Sequence, residues 1–353
     1  MRTVRRVGDL RAVLAAYRRE AATGRGREDR EGATFGLVPT IGLVPTMGAL
    51  HEGHLSLIRR ARTQCDVVVV SLFVNPAQFD ERADLARYPR DESRDAALAA
   101  DAGADLLFAP GVEEVYPPGF ATSVEVLGIT DRFEGASRGA AHFRGVATVV
   151  TKLLCMTQPD IAYFGAKDAQ QVVVIRRLVA DLNLPVRIAT CPTVREPDGL
   201  AMSSRNALLD PSARARALAL TTALRAAREL TDTGERSIAA LIDAATAAMA
   251  SLRVEPEYVA IVDPDSFEPL EGSLAEAALL VLAARVGSVR LIDNTLLEPK
   301  RAPLPAHASQ SADPHRPSSS SAVVPAGAAM PAGVATVDSP IHLYNGETAT
   351  CSA

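Results

Sequence analysis

Residues 66–74 read Asp-Val-Val-Val-Val-Ser-Leu-Phe-Val. An unbroken β-branched run without polar alternation suits a strand buried on both faces. Such strands belong to parallel sheets covered by helices on each side. Asn75-Pro76 closes the run, because proline has no N–H to give a ladder. The surrounding sequence supplies the helices. Leu10, Val13, Leu14 and Tyr17 fall at helical spacing, predicting an amphipathic helix over 9–22. Helical patterns recur through Leu55, Ile58 and Ala61, and over 91–102, 145–157 and 167–182. Short strand-like runs lie between them at 105–108, 160–164 and 185–189. This alternation predicts an α/β fold built on a parallel sheet over residues 1–192.

The pattern changes near Thr193. Two Ala-rich helices, 211–231 and 237–251, precede three strand-like runs at 257–262, 277–284 and 288–293. They predict a smaller α+β domain over 193–298. From Pro299 to Ala353 Pro, Ser, Ala and Gly dominate and no period persists, so a disordered tail is expected over 299–353.

Composition narrows the function classes. The 353 residues carry 37 basic and 42 acidic side chains, a net charge of −5, so no basic field exists to hold a nucleic-acid backbone. The chain has no Trp and only 4% aromatic residues, which argues against base stacking. Cys65, Cys155, Cys191 and Cys351 are far apart and show no metal-ligand spacing. The N-terminus lacks a signal-type apolar core, and no apolar run approaches the ~20 residues of a membrane helix. A cytoplasmic protein without membrane partners is expected.

One repeat poses a register problem. Gly36–Thr40 and Gly42–Thr46 are the same pentapeptide, Gly-Leu-Val-Pro-Thr. A six-residue shift is even, so side-chain alternation cannot choose between the copies. Only the second runs directly into Met47-Gly48-Ala49-Leu50-His51-Glu52-Gly53-His54. Leu43 and Val44 are therefore expected in the central sheet, with Gly36–Ile41 in the preceding connection or at the strand's start.

That octapeptide carries the strongest chemical signal. It follows a strand and opens a helix, where free N–H groups favour an anion. His51 and His54, three apart, share a helical face and can reach the same phosphate. Surface histidines or an HxxH metal pair are the competing readings. A second strand-to-helix turn, Gly165-Ala166-Lys167-Asp168-Ala169-Gln170-Gln171, offers Lys167 to phosphate and Asp168 to a ribose hydroxyl or a helix cap. Met202-Ser203-Ser204-Arg205-Asn206 sets two hydroxyls beside a guanidinium, a combination suited to outer phosphates. Asn75 and Gln78, at the end of the β-branched strand, are amides able to bind a hydroxy acid. No GxSxG elbow, Walker loop or GxGxxG fingerprint is present.

Taken in order, these motifs resemble those of the pantoate–β-alanine ligases, within the HIGH-type nucleotidylyltransferase superfamily. The likeness spans about residues 1–298. It rests on PTMGALHEGH at 45–54, SLFVNPAQF at 71–79, DLARYPR at 84–90, EGASR at 134–138, HFRGVATVVTKLL at 142–154, QPDIAYFG at 158–165, TVREPDGLAMSSRN at 193–206 and LIDN at 291–294. The resemblance implies a Rossmann-like first domain with a C-terminal lid, usually in a homodimer. It also implies an ATP- and Mg²⁺-dependent joining of D-pantoate to β-alanine through a pantoyl adenylate. Residue by residue, it implies ATP binding by Met47, Gly48, Ala49, Leu50, His51, Glu52, Gly53 and His54, with His54, His51 and Lys167 in catalysis. Gly165, Ala166, Lys167, Asp168, Val194, Met202, Ser203, Ser204 and Arg205 would complete the ATP site. Gln78 and Gln171 would hold pantoate, and Gln78 also β-alanine. It identifies no metal ligands. Where the family usually carries an acid and an aromatic residue around its Lys-Asp pair, this chain has Ala166 and Ala169.

Overall fold

The computed structural model describes residues 1–23, 38–79, 85, 86 and 88–299. The tail expected over 299–353 lies outside them, apart from Pro299 itself, as do Gly36 and Leu37 of the first repeat copy. All described residues belong to one compact unit.

Six parallel strands form the larger sheet: β1 Arg2–Val4, β2 Ile41–Thr46, β3 Val67–Leu72, β4 Leu106–Phe108, β5 Ile161–Gly165 and β6 Arg187–Cys191, in the order β1-β4-β3-β2-β5-β6. Val67–Val70 are at most 2% exposed, which is why that segment tolerates no polar alternation. Helices α1 Val7–Thr23, α2 Glu52–Arg62, α3 Glu92–Asp101, α4 Ala140–Thr157 and α5 Ala169–Asp181 connect the strands. Two apolar clusters result. One packs α1, α4 and α5 on Ile41, Leu43, Val67 and Val69, and the other packs α2 and α3 on Val44, Val68 and Val70.

The second pentapeptide copy is the working strand. Leu43 pairs with Val69 and Val44 with Val70. Two carboxylates pin the start of the strand: Thr40 N–H donates to Asp66 Oδ2 (2.9 Å) and Ile41 N–H to Asp160 Oδ2 (2.7 Å). Gly42 is required at its position, because a Cβ there would stand 2.8 Å from Cys65 Sγ.

Two helices depart from the expected bounds. α4 starts at Ala140, five residues before Gly145, because Gly139 takes φ +82° and turns the chain into it. The pattern over 167–182 is not one helix. Ala166–Asp168 is a 3-10 turn, and the α-helix begins at Ala169.

Beyond β6, helices α6 Pro211–Thr233 and α7 Ile238–Ser251 cover an antiparallel sheet of β7 Pro256–Val262, β8 Ala278–Val286 and β9 Val289–Leu297. They enclose a separate core that includes Leu220, Leu241, Met249, Leu280 and Leu282. Asp210 caps α6 through the Ala213 N–H, and Gly234 closes it in the left-handed region at φ +111°.

In the parallel sheet the chain runs outward from β2 through β3 and β4, then crosses back to β5 on the other side of β2. The carboxyl ends of β2 and β5 therefore flank a topological switch point, where open α/β sheets bind ligands.

Candidate active site

The loop leaving β2 is built to aim two imidazoles. Gly48 (φ +92°) and Ala49 (φ +52°) both take left-handed backbone. Asp95 of α3, 1% exposed, holds this turn by accepting from Ala49 N–H and Leu50 N–H, both at 2.8 Å. His51 then caps α2: its Nδ1 accepts from Gly53 N–H (3.1 Å), while His54 Nδ1 accepts from His51 N–H (3.4 Å). A nitrogen that accepts cannot carry the proton, so each ring keeps Nε2–H as a donor. The ring centroids are 4.1 Å apart. Gly53 leaves room for this pair, since a Cβ on it would stand 2.8 Å from His51 Cε1.

Both rings are neutral donors at physiological pH. Burial pushes His51 below the ordinary histidine value, and burial with the neighbouring His51 pushes His54 down to about 3. In this neutral form each ring offers a hydrogen bond from Nε2–H rather than a mobile proton. Stability follows the same shift. The unfolded chain binds this proton near 6.5 and the folded chain only near 3, so His54's contribution is complete above pH 6.5 and is lost as pH falls toward 3. Urea midpoints between pH 4 and 6.5 should fall less steeply with acidity in His54→Gln than in the wild type; equal slopes would refute the neutral ring.

Lys167 faces the histidines from the turn after β5. Its Nζ lies 3.5 Å from Asp168 Oδ1, and its side chain is 20% exposed. Opposite stands the hairpin after β6, closed by Met202 N–H donating to Val194 O (2.9 Å). Ser203 Oγ accepts from Arg205 N–H and starts the 3-10 segment Ser204–Leu208. These walls enclose a cavity of about 300 Å³.

The floor is an amide relay. Asn75, 1% exposed, donates from Nδ2 to Gln78 Oε1 (3.0 Å) and to Gly145 O (3.1 Å). Its Oδ1 accepts from Tyr116 OH (2.8 Å) and Ala77 N–H (3.3 Å). Both amide atoms of Asn75 are therefore committed to structure, although sequence reading offered it to a substrate. Gln78 Nε2 contacts Met47 Sδ at 3.0 Å, and His142 Nδ1 donates to Gln78 O at 2.9 Å.

Met47, His51, Gly53, His54, Gln78 and Gly165 line the cavity, and so do Lys167, Asp168, Gln171, Val194 and Met202–Arg205. The other expected residues stand behind it. Gly48, Ala49 and Leu50 form the turn that Asp95 holds, Glu52 pairs with Arg59 on the exposed side of α2, and Ala166 lends its backbone carbonyl to Asn294.

Sequence reading missed the partners that Glu134 takes from β7 and β9. Glu134, buried on the short helix Glu134–Arg138, accepts both Arg290 guanidinium nitrogens at 2.7 Å, Arg138 Nε at 3.1 Å and Tyr258 OH at 3.0 Å. Burial would push its carboxyl up, but Arg290 and Arg138 hold it below its usual value. The EGASR motif marked Glu134 and Arg138. Nothing in the sequence marked a partner 156 residues away.

Among the described residues no group of three or more His, Cys, Asp or Glu could hold a metal ion. Two nearby carboxylates are committed, Asp95 to two N–H groups and Glu134 to two arginines, while Asp168 is half exposed beside Lys167. Among the described residues these side chains do not make a preassembled Mg²⁺ site. Among the described residues, too, no helix is long and apolar enough to cross a membrane.

The family model described as pantoate-beta-alanine ligase matches residues 7–296. The chain is 53% identical over 293 residues to the pantothenate synthetase of Moorella thermoacetica, covering 82% of this chain and 99% of that protein. The solved pantothenate synthetase of Thermus thermophilus superposes with a TM-score of 0.73 at 46% identity, covering 84% of this chain and 99% of that one. A Francisella tularensis pantoate-beta-alanine ligase, complexed with beta-gamma ATP and beta-alanine, gives a TM-score of 0.65 at 33% identity over 84% of this chain and 97% of its own.

Proposed function

Because this chain belongs to the pantoate–β-alanine ligase family, which joins pantoate to β-alanine, we propose that it does so through a bound pantoyl adenylate made from ATP. Pyrophosphate leaves in the first step and AMP in the second. One observation carries the reading: His51 and His54, each with Nδ1 occupied by a backbone N–H, and Lys167 line the same cavity, at the carboxyl ends of β2 and β5.

The pantoate carboxylate is already a nucleophile, so no activated Ser or Cys is needed. It attacks the α-phosphorus of ATP and displaces pyrophosphate. The difficulty is to bring two anions together and to stabilise the charge that grows on the α-phosphate oxygens. Pre-aimed donors do this without reorganising. Neutral imidazoles suit the task, because they donate at any pH above their low titration range while Lys167 supplies the positive charge. Ser203, Ser204 and Arg205 close on the outer phosphates, and Gln78 and Gln171 orient pantoate. Residues 193–298 serve as a lid that keeps water from the adenylate. The amine of β-alanine then attacks the acyl carbon, forming the amide and releasing AMP. Mg²⁺ would enter with the ATP phosphates, since it is commonly held by few protein ligands and several phosphate oxygens. A cytoplasmic homodimer completes this reading, and light scattering in solution tests the dimer.

Pyrophosphate release from ATP and pantoate, with and without β-alanine, tests the chemistry. Without β-alanine, release should stop near one per active site; with it, turnover should continue. Release that does not require pantoate would sink the adenylate route.

A further inference from the structure

The LIDN segment of β9 has no role in the chemistry above, yet it touches both walls of the cavity. Asn294, 8% exposed, sends one nitrogen, Nδ2, to two backbone carbonyls: Ala166 O at 2.9 Å and Lys167 O at 2.8 Å. An amide nitrogen has two hydrogens, and both are used on this turn. The turn Ala166–Asp168 has no side-chain cap of its own. Lys carries its charge on a flexible four-carbon stem, so the place of its ammonium depends on how firmly its backbone is held.

Asn294 is itself fixed. Its N–H donates to Asp293 Oδ1 at 2.8 Å, and Asp293, 2% exposed, is gripped in two-pronged fashion by Arg195 at 2.7 and 3.0 Å. Arg195 bridges to Ala201 within the hairpin that presents Val194 and Met202. A two-pronged, charge-assisted pair of this geometry, with Asp293 buried and Arg195 partly exposed, fixes its members closely. One dipeptide therefore ties the Lys167 turn to the opposite wall.

We propose that Asn294 is a positioning residue for Lys167, setting where its ammonium meets the nucleotide phosphates; this rests on the reading above that Lys167 serves ATP. The test is a double-mutant cycle on the full chain, read as pantoate-dependent ATP–pyrophosphate exchange together with melting temperature. Asn294→Ala and Lys167→Ala should each lose about 100-fold, the cost of misplacing or removing a preorganised group. The double variant should lose no more than Lys167→Ala alone, because Asn294 acts through it. Asn294→Asp keeps the shape but turns oxygen toward two carbonyls, so it should lose at least as much as Asn294→Ala. If Asn294→Ala does not fold, Asn294→Ser takes its place in the cycle. Fold-losses that multiply in the double variant, or a normal Asn294→Ala beside an impaired Lys167→Ala, overturn the positioning role alone. A normal Lys167→Ala overturns the ATP reading and this inference with it.

Discussion

His54→Ala and His51→Ala are each expected to slow adenylate formation by at least ~100-fold, the cost of removing one donor aimed at a transition-state charge. The expectation follows from hydrogen bonding within the loop. Each Nδ1 accepts a backbone N–H of the same helix start, which fixes the ring and leaves Nε2–H as its one donor. The same contacts make the variants separable from misfolding. Losing a cap costs about 1 kcal/mol, and α2 also buries Leu55, Leu57, Ile58 and Ala61, so both variants should fold. His54→Gln can place an amide N–H where Nε2–H was and should recover part of the rate; His54→Phe, of similar bulk without a donor, should not. Pyrophosphate release in a single turnover measures this. Near wild-type rates in both alanine variants would remove the imidazoles from the chemistry.

What could be read in the sequence was local, and what could not was distant. Val67–Val70 announced a buried strand because burial on both faces leaves a continuous apolar run. The pentapeptide register was legible because the histidine loop must begin where its strand ends. β1 was not legible: of Arg2, Thr3 and Val4 only Val4 is buried, so three residues show no period. The candidate site divides in the same way. Its helix start, its Lys167 turn and its Ser-Ser-Arg loop are contiguous motifs. The groups that hold them are not, because Asp95 lies 45 and 46 residues from the N–H groups it accepts, and Asn294 lies 127 and 128 residues from its carbonyls. A buried carboxylate or amide looks like any surface residue until its partner is known, and only the fold supplies the partner.

Gly145→Ala should be severely damaging near the site although it adds a single methyl. Alanine is ordinarily the better helix residue by ~1 kcal/mol, and Gly145 lies inside α4. Here, however, a Cβ would stand 2.2 Å from Ala77 O, 2.5 Å from Ala77 C and 2.8 Å from Gln78 N. All three are backbone atoms, so no rotamer change relieves the clash. Either α4 or the turn Pro76–Gln78 must move by about an ångström, and overpacking of this kind costs ~1–3 kcal/mol or more. The displacement acts where it matters, because Asn75 Nδ2 bonds Gly145 O and His142 bonds Gln78 O across the same seam. A Gln78 side chain displaced by about 1 Å should cost on the order of 100-fold in kcat/KM for pantoate. Gly8→Ala is the control. Gly8 lies exposed in α1 with nothing within 4 Å of a built Cβ, so that variant should melt slightly higher and turn over normally. If Gly145→Ala matches Gly8→Ala in both melting temperature and pantoate kinetics, α4 does not approach the turn this closely, and the amide relay beneath the cavity is not what places Gln78.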